Sequence, residues 1–133
     1  MKRGAKLWWK IYFWLMAILV VGALLLDVRY SDGRDLLDIL DYGTWLFSLV
    51  GVFGFAYSKV IMNKRLWQVW LPIVVIWDVS VPAIQHMHEP LEMEPWFLAL
   101  AAAIAAMLVL PQYVALYFYG HRSDGLWSSG NTR

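Results

Sequence analysis

Four stretches of this chain are each long enough and apolar enough to cross the ~30 Å hydrocarbon layer of a bilayer as a helix, which at ~1.5 Å of rise per residue takes about 20 residues. They are residues 7–26, with Lys10 near the start, 42–58, extendable to 62, 66–85, which contains Asp78, and 96–120. Short polar connections separate them. A backbone in lipid must satisfy its own hydrogen bonds, which leaves helices or a closed barrel, and the apolar–polar alternation of barrel strands is absent. Composition agrees: of 133 residues, 61% are apolar and 16% charged, against roughly a quarter charged in ordinary soluble domains. The expected fold is an all-α membrane protein, four transmembrane helices at about 7–26, 33–62, 66–85 and 96–120 in a compact up-down bundle forming one domain over 1–120, followed by a mobile tail over 121–133.

Orientation follows from Lys and Arg, which accumulate in cytoplasmic loops. Lys2, Arg3, Lys6, Lys10, Lys59, Lys64, Arg65, Arg122 and Arg133 fall on one side, and only Arg29 and Arg34 on the other. Both termini are therefore expected in the cytoplasm, with the chain a multi-pass protein of the inner membrane. Aromatic rings prefer the headgroup level, so Trp8, Trp9, Trp67, Trp70, Tyr117 and Tyr119 read as an inner belt and Tyr30, Tyr42, Trp45 and Trp96 as an outer one. Trp14 and Trp77 lie deeper and read as packing residues. The first segment has a basic start and an apolar run like a signal peptide, but it ends Ala23-Leu24-Leu25-Leu26-Asp27 without an A-x-A-like cleavage site, so it is read as a retained helix.

In the first outer loop Asp32, Asp35, Asp38 and Asp41 recur every third residue, with Leu36, Leu37, Ile39 and Leu40 between them. This is an amphipathic pattern. It extends the second helix back to near Gly33, with Ser31 or Asp32 as its cap and the carboxylates as a solvated face. The loop lacks the ligand ladder of a calcium site. The second outer loop, 85–95, holds His86, His88 and Glu89, donor types that suit zinc or copper. Residues i and i+2 of a helix do not share a face, so these three are a weak metal candidate, and no cofactor is expected.

Asp78 is the one charge deep in a span. A charge there costs a few kcal/mol on insertion scales, so such residues face a bundle interior or water and mark function more often than elsewhere. Depth counting along opposite-running helices gives Ser48 as its hydrogen-bond partner, and Asp78 with Ser48 is the candidate intramembrane polar site. Pro72, Pro82 and Pro111 each free one helical carbonyl. Small-residue faces, Gly51, Gly54 and Ser58 on the second helix and Ala99 to Ala106 on the fourth, point to close helix packing within the monomer or between copies.

The absence of cysteine removes disulfides, thiolate nucleophiles and cysteine metal sites. No nucleotide loop, nucleophile elbow or HExxH motif occurs, and all three histidines lie at or beyond span ends, so enzyme activity is not expected. A net charge of +1 gives no attraction for nucleic acid. The expected partners are the lipid bilayer and another membrane protein or the chain itself. The leading reading is a non-enzymatic accessory, assembly, regulatory or immunity-type protein; the rival is a small oligomeric proton- or cation-coupled transporter or channel using Asp78.

Overall fold

The computed structural model describes residues 3–30, 35–88 and 94–129, with side chains for 6–30, 35–87 and 94–128. The elements are α1 (Arg3–Tyr30), α2 (Leu36–Tyr57), α3 (Lys64–His88), α4 (Pro95–His121) and α5 (Asp124–Ser129), and no strand occurs among the described residues. The first four helices are long and apolar enough to cross a membrane. They alternate in direction. Trp9 meets Phe55 and Phe13 meets Phe53, so α1 and α2 are antiparallel. Trp70 meets Ser48 while Trp77 meets Asp41, so α2 and α3 are antiparallel. Gln68 reaches Gly120 and Asp78 reaches Tyr113, which makes α3 and α4 antiparallel. Helix α2 packs against α1, α3 and α4, and is the centre of the bundle.

One end carries Lys6, Lys64, Arg65 and Arg122 and is called the basic end; the other carries Asp35, Asp38 and Glu94 and is called the acidic end. The principal core lies towards the basic end, where Val52, Phe55, Trp67, Val74, Ala115, Leu116 and Tyr119 are buried together. Glycine makes this possible. A Cβ at Gly51 would lie 2.5 Å from the Trp67 ring, and one at Gly54 would lie 2.5 Å from the Tyr119 hydroxyl. Two bulky aromatics therefore press directly on the α2 backbone, where small residues permit close approach. A second cluster, Met16, Val20 and Leu49, joins α1 to α2 further along. Beyond it the packing thins along α4, where every residue from 99 to 107 is exposed. The other helices stay in contact there, with Val81 buried on α3 and Trp77 reaching Asp41 on α2.

The helix ends differ from expectation where local chemistry intervenes. Helix α2 stops at Tyr57 rather than continuing to 62, because Ser58 turns left-handed (φ 52, ψ 45), with its own N–H and that of Lys59 bonded back to Phe55 O and Gly54 O at 3.3 and 2.9 Å. This is a left-handed C-cap built on serine instead of the usual glycine. Asn63 then caps α3, its Oδ1 accepting from the Leu66 N–H at 2.8 Å. Between the two helices the Tyr119 hydroxyl accepts from Ile61 N–H at 2.9 Å and donates to the Lys59 carbonyl at 2.6 Å. A side chain from α4 therefore closes the α2–α3 turn. Neither Pro72 nor Pro82 breaks α3, and α4 runs through Pro111. Helix α4 begins on Pro95, a position where the missing N–H is harmless.

The segment expected to be a mobile tail forms α5 over Asp124–Ser129 instead. Its Trp127 ring lies 4.9 Å from that of Tyr119 and donates from Nε1 to the Tyr119 carbonyl at 2.9 Å. Asp124 pairs with Lys64. Two apolar residues, Leu126 and Trp127, packed on the core outweigh the polar composition that argued for disorder. The aromatic belt is also revised: Trp67 and Tyr119 are fully buried, and Trp14, read as a packing residue, is exposed with its Nε1 donating to the Tyr57 hydroxyl at 3.0 Å.

Candidate functional site

Asp78 sits half-buried on α3, ten residues or about 15 Å from the helix end at His88. It does not pair with Ser48. The Tyr113 hydroxyl of α4 donates to Asp78 Oδ2 at 2.5 Å, while Ser48 Oγ, fully buried, accepts from Trp70 Nε1 at 3.0 Å. Depth counting failed because it measured from span ends that the fold does not keep: α2 begins at Leu36, and the Trp70–Ser48 and Trp77–Asp41 bonds set a register in which Asp78 lies level with Leu40, about two helical turns from Ser48. Helix α3 packs chiefly against α4, and there Tyr113 is the polar side chain that reaches Asp78.

A second carboxyl completes the cluster. Asp41 Oδ1 accepts from Trp77 Nε1 at 2.9 Å, and its charge lies within Coulombic reach of Asp78. The solvated acidic face expected on α2 therefore splits. Asp35 is exposed at the N-cap position without a side-chain cap bond, and Asp38 is half-buried in the first turn. Asp41 turns inward. Residues three apart on a helix of 3.6 residues per turn drift by about 60° each step, so Asp41 lies about 120° around from Asp35. Asp32 lies outside the described residues.

Asp41 also lines a crevice of about 450 Å³ between the acidic halves of α1, α2 and α4, with Val20, Tyr42, Trp45, Ala105 and Leu108 among its walls. Further along α4, Gln112 is fully buried, and among the described residues neither its Nε2 nor its Oε1 has a hydrogen-bond partner. A buried, unmade hydrogen bond costs about 1–3 kcal/mol, so this amide is a local liability in the helix. Tyr113 and Gln112 were missed at the sequence level. Two adjacent polar groups directly after Pro111, inside an otherwise apolar run, were the available signal.

The metal candidate gains no geometry. His86 is exposed on the last turn of α3, a helical setting in which i and i+2 diverge. The His88 side chain and Glu89 lie outside the described residues. Among the described residues no group of three or more His, Asp or Glu side chains is placed to hold an ion. His121 stacks on Tyr117 with ring centroids 4.8 Å apart. Comparison with known proteins gives no match, whether to family models, to curated proteins or to solved structures.

Proposed function

We propose that this chain is a small multi-pass inner-membrane protein, with both termini in the cytoplasm, that works without catalysis by holding other membrane components as an accessory, assembly, regulatory or immunity-type protein. The observation that carries the reading is the acidic half of α4. Residues 99–107 include six alanines, the residue type that lets helix backbones approach, yet all nine are exposed. In a membrane, helices associate by packing and interhelical hydrogen bonds rather than by hydrophobic expulsion. A smooth helix face left exposed among the described residues, beside a crevice containing a carboxyl, suits a transmembrane helix of a partner, with a donor group at the depth of Asp41.

The test is a photoreactive amino acid at Ala102, with Val69 on the basic half of α3 as the control, expressed at native level in intact cells. A discrete adduct at Ala102 and none at Val69 is expected, and its mass distinguishes a second copy of the chain from a different protein. Equal diffuse labelling at both positions overturns the reading. Orientation is tested separately with single cysteines: Gln85→Cys should react with an impermeant thiol reagent in intact cells, and Asn63→Cys should not.

A transport reading is favoured by one feature, the pairing of Tyr113 with Asp78 while Asp41 stands near on the adjoining helix. Two carboxyls on facing helices can hand over a proton or a cation. Under this reading, proton-coupled flux in liposomes disappears in Asp78→Asn while the protein still folds.

A further inference from the structure

The basic end contains a cavity of about 440 Å³ that plays no part in the proposed helix contact. It opens between the start of α1, the end of α2 and the junction of α4 with α5. Its polar lining is Lys6, Ser58, Arg122 and Ser123, and its apolar wall is Phe55, Phe118 and Leu126. Among the described residues no carboxylate lines it.

The electrostatics of the cavity are one-sided. Lys6 Nζ donates to the Ser58 hydroxyl at 2.8 Å, a neutral acceptor that leaves its charge uncompensated. Arg122 lies over the Phe118 ring at 5.6 Å, and neither cation is in a salt bridge with a described carboxylate, since Asp124 is taken by Lys64. Capping is the competing explanation, because α2 and α4 both end here and each helix C-terminus carries roughly half a negative charge. Two full positive charges against two half charges still leave the pocket positive. The helix-end carbonyls are, moreover, partly engaged already: Gly54 O by Lys59 N–H, and Phe118 O by the N–H of Arg122 and the Ser123 hydroxyl.

A positive, hydroxyl-bearing rim above an aromatic wall, at the level where the apolar helices end, matches a molecule with an anionic head and an apolar body. Basic pockets between transmembrane helices recognise lipid headgroups by this combination. We infer that the Lys6–Arg122 cavity binds the phosphate of an anionic phospholipid, with the Ser58 hydroxyl, which accepts from Lys6, placed to donate its own proton to a phosphate oxygen, and with Phe55, Phe118 and Leu126 against the start of the acyl chains. The inference rests on the chain's crossing a membrane, but not on the partner-helix reading. A bidentate guanidinium and a flexible ammonium are complementary phosphate ligands, one directional and one a point charge.

The test uses the full chain in phosphatidylcholine nanodiscs containing a small fraction of phosphatidylglycerol, with lipid retained after release read by native mass spectrometry. The wild type should keep one phosphatidylglycerol in preference to phosphatidylcholine. Lys6→Gln combined with Arg122→Gln should reduce that preference at least tenfold, while Arg65→Gln, which removes a charge from the same end outside the cavity, should leave it within about twofold. The charge-conserving pair Lys6→Arg with Arg122→Lys should retain most of it, which separates binding from folding. An equal loss in Arg65→Gln overturns the inference by reducing it to general surface charge. Displacement of the lipid by millimolar inorganic phosphate or glycerol phosphate overturns the lipid assignment in favour of a free anion. Failure of the wild type to enter discs as a helical protein is a distinct result, and overturns the membrane reading and this site together.

Discussion

The two ends of the bundle are built from the same kinds of helix and behave differently. At the basic end two glycines of α2 admit Trp67 and Tyr119, and tryptophan and tyrosine tips then fasten chain turns: Trp67 Nε1 donates to Ile61 O at 2.8 Å, Trp127 Nε1 to Tyr119 O, and the Tyr119 hydroxyl spans Lys59 and Ile61. Towards the acidic end the alanines of α4 stay exposed among the described residues, and the polar contacts between helices there include the Trp77–Asp41 and Tyr113–Asp78 bonds. Small residues therefore permit closeness without producing it. A large ring on the facing helix has to fill the space that glycine leaves, and α2 has Trp67 and Tyr119 opposite its glycines while the alanines of α4 have nothing comparable.

The comparison predicts a graded series of stabilities, measured by reversible unfolding in mixed micelles. Trp67→Ala should be the most damaging, towards the lower part of roughly 3–5 kcal/mol, because apolar transfer contributes little within lipid and the loss is mainly of packing and the Ile61 bond. A loss under about 1 kcal/mol would remove the claim that the basic end holds the fold. Tyr119→Phe should cost roughly 1–3 kcal/mol by stranding the Lys59 carbonyl and Ile61 N–H, and hydrogen exchange should rise selectively at Ile61.

At the acidic end the effects should shrink. Tyr113→Phe and Asp78→Leu should each cost on the order of 1 kcal/mol, the scale of interhelical hydrogen bonds in membranes. Asp78→Asn keeps an acceptor and should cost less, and equal losses in the Asn and Leu variants would show that charge, not the bond, matters. Gln112→Leu should act in the opposite direction, stabilising by up to about 1 kcal/mol because an unpartnered amide is removed; destabilisation would reveal a partner for that amide in the working protein. Ala102→Leu should change the isolated chain by less than about 0.5 kcal/mol, yet abolish the crosslink at neighbouring positions if a partner helix lies there.

Much of this was legible in the sequence. The count of long apolar helices follows from segment length and composition, and their alternation in direction from the short connections between them. The candidate acid was legible too, since a lone Asp in an apolar run stands out. Its partner was not, because the bond to Tyr113 depends on the register of α3 against its neighbours and on which helix α3 lies against. The inward turn of Asp41 was within reach of the arithmetic of helical drift, but only if the three-residue spacing had been followed through two steps.

By itself, then, the sequence determined the number of helices, their apolar character and the concentration of Lys and Arg at one end, because these depend on local composition and on hydrogen bonds made within a segment. Tertiary structure decided that α2 is central, that Ser58 ends it, that residues 124–129 fold back on Tyr119, and that Asp78 meets Tyr113 while Ser48 meets Trp70. Each of those depends on a ring or hydroxyl arriving from a helix distant in the chain, and local patterning carries no information about which faces will be brought together.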